Sequence, residues 1–113
     1  MRVESRLPAH VEVTGLLRQV QAEGGFAAVV KKGEREAGTI LIILTEKGED
    51  SRAYERMPQL DGSRKWLCSR KQDPENKQEF QEYLDRRAKQ DDDLWIIELD
   101  IANGERFIGL TTS

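Results

Sequence analysis

The chain is expected to fold as one α+β domain spanning residues 1–113. The expected form is a mainly antiparallel sheet of five to six strands with two helices, in the order α-β-β-β-β-α-β-β. Three observations predict it. Apolar residues recur at three- and four-residue spacing in two separated stretches, the mark of one helical face. Around those stretches lie short runs rich in β-branched and aromatic residues, bounded by glycine, proline and aspartate. The links between consecutive strands are short, which suits antiparallel neighbours rather than a doubly wound sheet.

The first helix is expected over 8–23. Pro8 fits the first turn, where its missing N–H costs nothing, and Val13, Leu16, Leu17 and Val20 share a face. Gly15 costs about 1 kcal/mol relative to Ala inside a helix, so it is expected to mark a close contact with another element. Gly24-Gly25 ends the helix. FAAVVKK (26–32) reads as a strand, and KGEREAG then turns the chain into TILIILT (39–45). Five consecutive large aliphatics there suit a central strand buried on both sides, with Ile40, Ile42 and Leu44 facing one way and Leu41 and Ile43 the other.

RAYERM (52–57) alternates, placing Arg52, Tyr54 and Arg56 on one face. Beyond Pro58 and the Asp61-Gly62 turn, RKWLCS (64–69) is a further strand. Asp73-Pro74-Glu75 carries the signals of a helix start, and Phe80, Tyr83, Leu84, Arg87 and Ala88 trace a helical face to about Lys89. LWIIELDI (94–101) is a strand, and Asn103-Gly104 predicts a two-residue hairpin into RFIGL. If both helices covered the same side of the sheet, a symmetric homodimer would have to cover the other, so a homodimer is expected.

Composition narrows the class. Hydrophobic residues make up 37% and charged residues 35%, a soluble globular balance too apolar for a disordered chain. Cys68 is the single cysteine, so neither an intramolecular disulfide nor a cysteine-based zinc site can form, which suits a reducing cytoplasm. The N-terminus MRVESRLPAH lacks the apolar core of a signal peptide, and the longest apolar run, Ile40 to Leu44, is far below the roughly 20 residues of a membrane span. A cytoplasmic location without membrane insertion is therefore expected. Charge is uneven. Residues 1–72 hold 13 Lys+Arg against 10 Asp+Glu, and residues 73–113 hold 5 against 11, giving the overall −3.

Chemistry-bearing patterns are sparse. No phosphate loop, dinucleotide fingerprint, metalloprotease, nucleophile-elbow or EF-hand pattern occurs. His10 is the only histidine, and its spacing from Cys68 defines no catalytic pair. DDDLWIIELD (91–100) offers Asp91, Asp92, Asp93, Glu98 and Asp100, and clustered carboxylates suit hard cations. A nuclease-type site also calls for a lysine close to its acids, and none lies on this strand. The favoured reading is a helix stop, a solvated loop and the wet face of a strand. No metal, cofactor or catalytic residue is assigned.

The basic stretch is the best candidate. Arg52, Tyr54 and Arg56 share a strand face, and Arg64, Lys65 and Trp66 follow across a short turn; cations beside aromatics suit phosphate contacts and base stacking. Lys31 and Lys32 are expected to extend this anion-binding patch.

Two stretches, GGFAAVVKKGEREAGTILI and DLWIIELD, resemble a small alphaproteobacterial family known as domain of unknown function 1491. The likeness runs through LPAHVEVTGLLR, YERMPQLDG and GERFI, nearly the whole chain. Asp92 stands where the family often has proline, and Lys31-Lys32 where many members have Arg-Arg. The resemblance implies a cytoplasmic bacterial protein and brings no catalytic residues. The resulting expectation is a non-catalytic binding or accessory module with a local basic face, a weak anionic or nucleic-acid ligand being the partner in view. The alternative is a metal-dependent hydrolase or nuclease-like enzyme using the acidic strand.

Overall fold

The structure, a computed structural model, describes residues 7–109. Its elements are α1 (Ala9–Ala22), β1 (Phe26–Lys31), β2 (Ile40–Glu46), β3 (Glu49–Pro58), β4 (Arg64–Lys71), α2 (Lys77–Gln90), β5 (Trp95–Asp100) and a closing 3-10 helix, η1 (Gly104–Ile108). The five strands form one sheet in the order β1-β5-β2-β3-β4.

Three of the four strand pairings are antiparallel, but β5 runs parallel to β2, with Ile42 opposite Ile97 and Leu44 opposite Leu99. The sheet is thus mixed. β2 is apolar on both faces, and β5 on one face and at the start of the other, so each gains by lying inside the sheet, and β5 inserts between β1 and β2. The chain from β1 to β2 must then step across the start of β5. Gly33 and Gly38 allow this: a Cβ at either would sit 2.2 or 2.4 Å from the Asp93 carbonyl oxygen. The Glu34 N–H donates to that carbonyl, and the Trp95 indole N–H donates to the Glu34 carbonyl.

The last predicted strand is replaced by η1. Its expected partner, β5, already has β1 on one side and β2 on the other, so no ladder is free for a returning hairpin. Instead Asn103 adopts φ 56°, and Phe107 and Ile108 fold back onto the core beside Leu44. Leu110, at the end of the predicted strand, lies outside the described residues.

Alternation splits the core in two. Ile40, Ile42, Leu44, Tyr54, Trp95, Ile97 and Leu99 pack against Ala9, Val13, Leu16 and Val20 of α1. On the other face Leu41, Ile43, Ala53 and Ile96 pack against Phe80, Tyr83 and Leu84 of α2. One helix covers each face, so the uncovered apolar face that motivated a homodimer is not present among the described residues.

Helix ends follow local rules. The Gly24 N–H donates to the Gln21 carbonyl and the Gly25 N–H to the Val20 carbonyl, with Gly24 at φ 87°, the glycine-terminated stop anticipated for α1. At its start, Pro8 is the N-cap rather than a first-turn residue, and the Ala9 and His10 N–H groups donate to the Glu36 and Arg35 carbonyls. Gly15 makes no close contact: nothing lies within 4 Å of where its Cβ would be. The second helix starts two residues later than predicted. Asn76 caps it by accepting from the Glu79 N–H, and Asp73 instead holds the turn by accepting from the Glu75 N–H.

Candidate functional site

The strand face carrying Arg52, Tyr54 and Arg56 points inward, toward α1 and η1. Tyr54 is 7% exposed and belongs to the α1-side core. The two arginines cross the rim of that core and end on carboxylates. The Arg52 Nη2 lies 2.9 Å from Glu105 of η1, and the Tyr54 hydroxyl donates to the same oxygen at 3.0 Å. The Arg56 guanidinium donates twice to Glu12 of α1, at 2.6 and 2.9 Å, while stacking 4.6 Å above the Trp66 ring.

The opposite face repeats the theme. Arg87 of α2 donates to Glu55 of β3 at 2.5 Å, and the Tyr83 hydroxyl donates to the other Glu55 oxygen at 2.8 Å. Burial would raise the Glu55 carboxyl, but the bonds from Arg87 and Tyr83 outweigh it and hold the group below its ordinary value. Glu105 behaves likewise: its burial is outweighed by hydrogen bonds from its own backbone and Tyr54 and by the Arg52 charge.

The remaining expected residues separate. Arg64 and Arg56 line one cleft of about 210 Å³ together with Arg87, Thr39 and Asp91. They also line an adjoining cleft of about 360 Å³ against Glu12, Glu36 and the start of α1. Trp66 is half-buried beneath Arg56, and Lys65 is exposed on the other face of β4, across from exposed Met57. Lys31 and Lys32 do not extend this patch. Lys31 ends β1 and Lys32 follows it, at the far edge of the sheet from β4 with β5 and β2 intervening before β3. The Lys31 ammonium donates inward to the Asp92 and Leu94 carbonyls at 2.9 and 2.8 Å.

Of the acids in 91–100, Asp91 and Asp100 hold local turns. Asp91 accepts from the Asp93 N–H. Asp100 accepts from the Lys47 and Gly48 N–H groups at 2.7 and 3.1 Å, pinning the β2–β3 turn. Glu98 is half-buried; burial and then the neighbouring Asp100 charge push its carboxyl up. Among the described residues no three His, Cys, Asp or Glu side chains group so as to hold a metal ion. His10 bonds the Arg35 carbonyl, and Cys68 the Arg70 carbonyl on β4.

Sequence reasoning missed Glu12, Glu55, Glu105 and Arg87. One signal was available: Tyr54 between two arginines on a strand beside the central one is a side chain that prefers burial, so its face should point inward.

A family model described as a protein of unknown function (DUF1491) matches residues 7–109. The chain belongs to the DUF1491 family. Its fold is shared with family members of known structure. The crystal structure of a DUF1491 family protein from Caulobacter crescentus CB15 is 26% identical, covers 96% of this chain and 100% of that one, and superposes with a TM-score of 0.80. An NMR structure of a DUF1491 family protein from the same organism gives 26%, 97%, 99% and 0.78. A solution structure of a protein from A. tumefaciens gives 28%, 96%, 98% and 0.75. No curated protein matches the chain. Of the positions where the sequence resemblance departs from the family's usual residues, Lys31, Lys32 and Asp92, two are in contact: the Lys31 ammonium donates to the Asp92 carbonyl. No helix among the described residues is long and apolar enough to cross a membrane.

Proposed function

We propose that the chain is a non-catalytic binding module of the cytoplasm that takes an anionic group where Arg56, Arg64 and Arg87 converge. The observation that carries the reading is that Arg56, Arg64 and Arg87, from β3, β4 and α2, line one cleft with Thr39, beside Glu55 and Asp91. Glu12 and Glu55 occupy part of the donor set of Arg56 and Arg87, but each guanidinium has five N–H donors in a planar fork. Such a cleft suits a phosphate or carboxylate on a larger ligand. Because carboxylates already neutralise much of its charge, binding is expected to be moderate and salt-dependent. Exposed Lys65, Met57 and Leu67 on the β3–β4 hairpin add a rim for the rest of the ligand.

The test compares wild type with Arg64→Glu and Lys65→Glu for binding of inorganic phosphate, single-stranded RNA and DNA, and anionic vesicles at low salt. Arg64→Glu is expected to lose binding and Lys65→Glu to weaken it. No binding by wild type, or equal binding by Arg64→Glu, overturns the reading.

A further inference from the structure

The sheet has two outer edges, and they are guarded differently. β4 carries exposed Lys65 and Lys71, long cations that deter edge-to-edge pairing. β1 has one cation, Lys31, and its ammonium is turned inward onto the Asp92 and Leu94 carbonyls. What β1 presents outward is apolar: Phe26 is 60% exposed, Val30 54% and Val29 42%. An unguarded strand edge with apolar side chains is a template for another strand.

We infer that β1 is a self-association edge, and that two copies of the chain pair through antiparallel β1 strands into one continuous sheet. Charge favours the antiparallel direction. The strand begins near acids, with Glu23, which also pairs with Arg106, three residues before it and Asp100 paired with Phe26, and it ends in Lys31 with exposed Lys32 following. Antiparallel self-pairing sets the acidic end of each copy against the basic end of the other, whereas parallel pairing would stack like on like.

Size agrees. With Ala27 on the two-fold axis, Phe26 lies beside Ala28 of the second copy and Val29 beside its Gly25, so each large side chain faces a small one. This register uses only the regular part of the strand, because the β1 ladder shifts between Val29 and Lys31. The contact is short compared with the roughly 800 Å² per partner of standard interfaces, so micromolar rather than nanomolar dimerisation is expected. None of this depends on the arginine cleft, which lies at the other side of the sheet.

Sedimentation equilibrium across a concentration series tests it, with thermal melts confirming that each variant is folded. Wild type should dimerise reversibly. Val29→Lys, which restores a guarding cation at an exposed position, should raise the dimer Kd on the order of tenfold or more. Lys32→Glu should weaken the dimer, and the charge swap Glu23→Lys/Lys32→Glu should recover part of the loss, since Glu23→Lys also breaks the pair with Arg106. Leu67→Lys, on the β4 edge, should leave it unchanged. A wild type that stays monomeric well above micromolar concentration overturns the proposal, even if its edge takes an extended peptide. So does a dimer that Leu67→Lys abolishes and Val29→Lys does not.

Discussion

The two margins of the sheet use their lysines and arginines in opposite ways. At the β4 margin Lys65 stands in solvent, and Arg70 stacks 4.6 Å from the Tyr83 ring while pairing with Glu79. At the β1 margin Lys31 is a buttress that ties the strand to the Asp92–Leu94 turn. Residue type alone would class all of them as surface cations. What separates them is the acceptor within reach, an inward carbonyl pair at one margin and water or a half-buried carboxylate at the other.

The largest expected effect lies in the strand that joins the two margins. Ile42 is fully buried between Tyr54 of β3 and Ile97 of β5. Ile42→Ala should cost roughly 2–5 kcal/mol in urea denaturation, the usual range for truncating a buried aliphatic. A change near zero would mean the margins do not share a common core.

The next prediction sets the margins against each other. Lys31→Ala removes a donor from two carbonyls, one in a part-buried setting, and should cost about 1–2 kcal/mol. Lys65→Ala should stay within about 0.5 kcal/mol, as exposed substitutions mostly do. Equal losses would erase the distinction.

The smallest effects concern acids and differ in sign. Near the β4 margin, Glu55 has a folded pKa below its unfolded value, so its stabilisation is present at neutral pH and is lost as pH falls through the folded pKa. Glu55→Gln should destabilise at pH 7 by about 1 kcal/mol, with the gap to wild type closing in acid. Near the β1 margin, Glu98 has a raised folded pKa, so its stabilisation is present below the unfolded pKa and is lost as pH rises through the folded one. Glu98→Gln should stabilise at pH 7 by at most about 0.5 kcal/mol and have no effect in acid. Melting curves of both variants from pH 3 to about 7 check the pair; shifts of the same sign would refute it.

Local pattern determined much of this protein. Two helices, the double-glycine stop, the strand cores and the two-sided burial of Ile40–Leu44 all follow from spacing and turn chemistry, which act between residues close in the chain. The family likeness was legible too, because it resides in runs such as DLWIIELD. Three matters were settled only by tertiary structure. Whether β5 would lie at an edge or between β1 and β2 depended on competition for ladder positions among strands far apart in the chain, as in the pairing of Ala28 with Glu98, 70 residues on. That insertion left β5 no free side for a returning hairpin, so the Asn103-Gly104 signal was overridden and Gly104–Ile108 closed the core as a 3-10 helix instead. The basic face met the same kind of long-range decision. Arg52, Arg56 and Arg87 are as prominent in the sequence as Lys65, but each found a carboxylate 32 to 53 residues away. No local pattern encodes that distance; the packing of α1, α2 and η1 onto the sheet does.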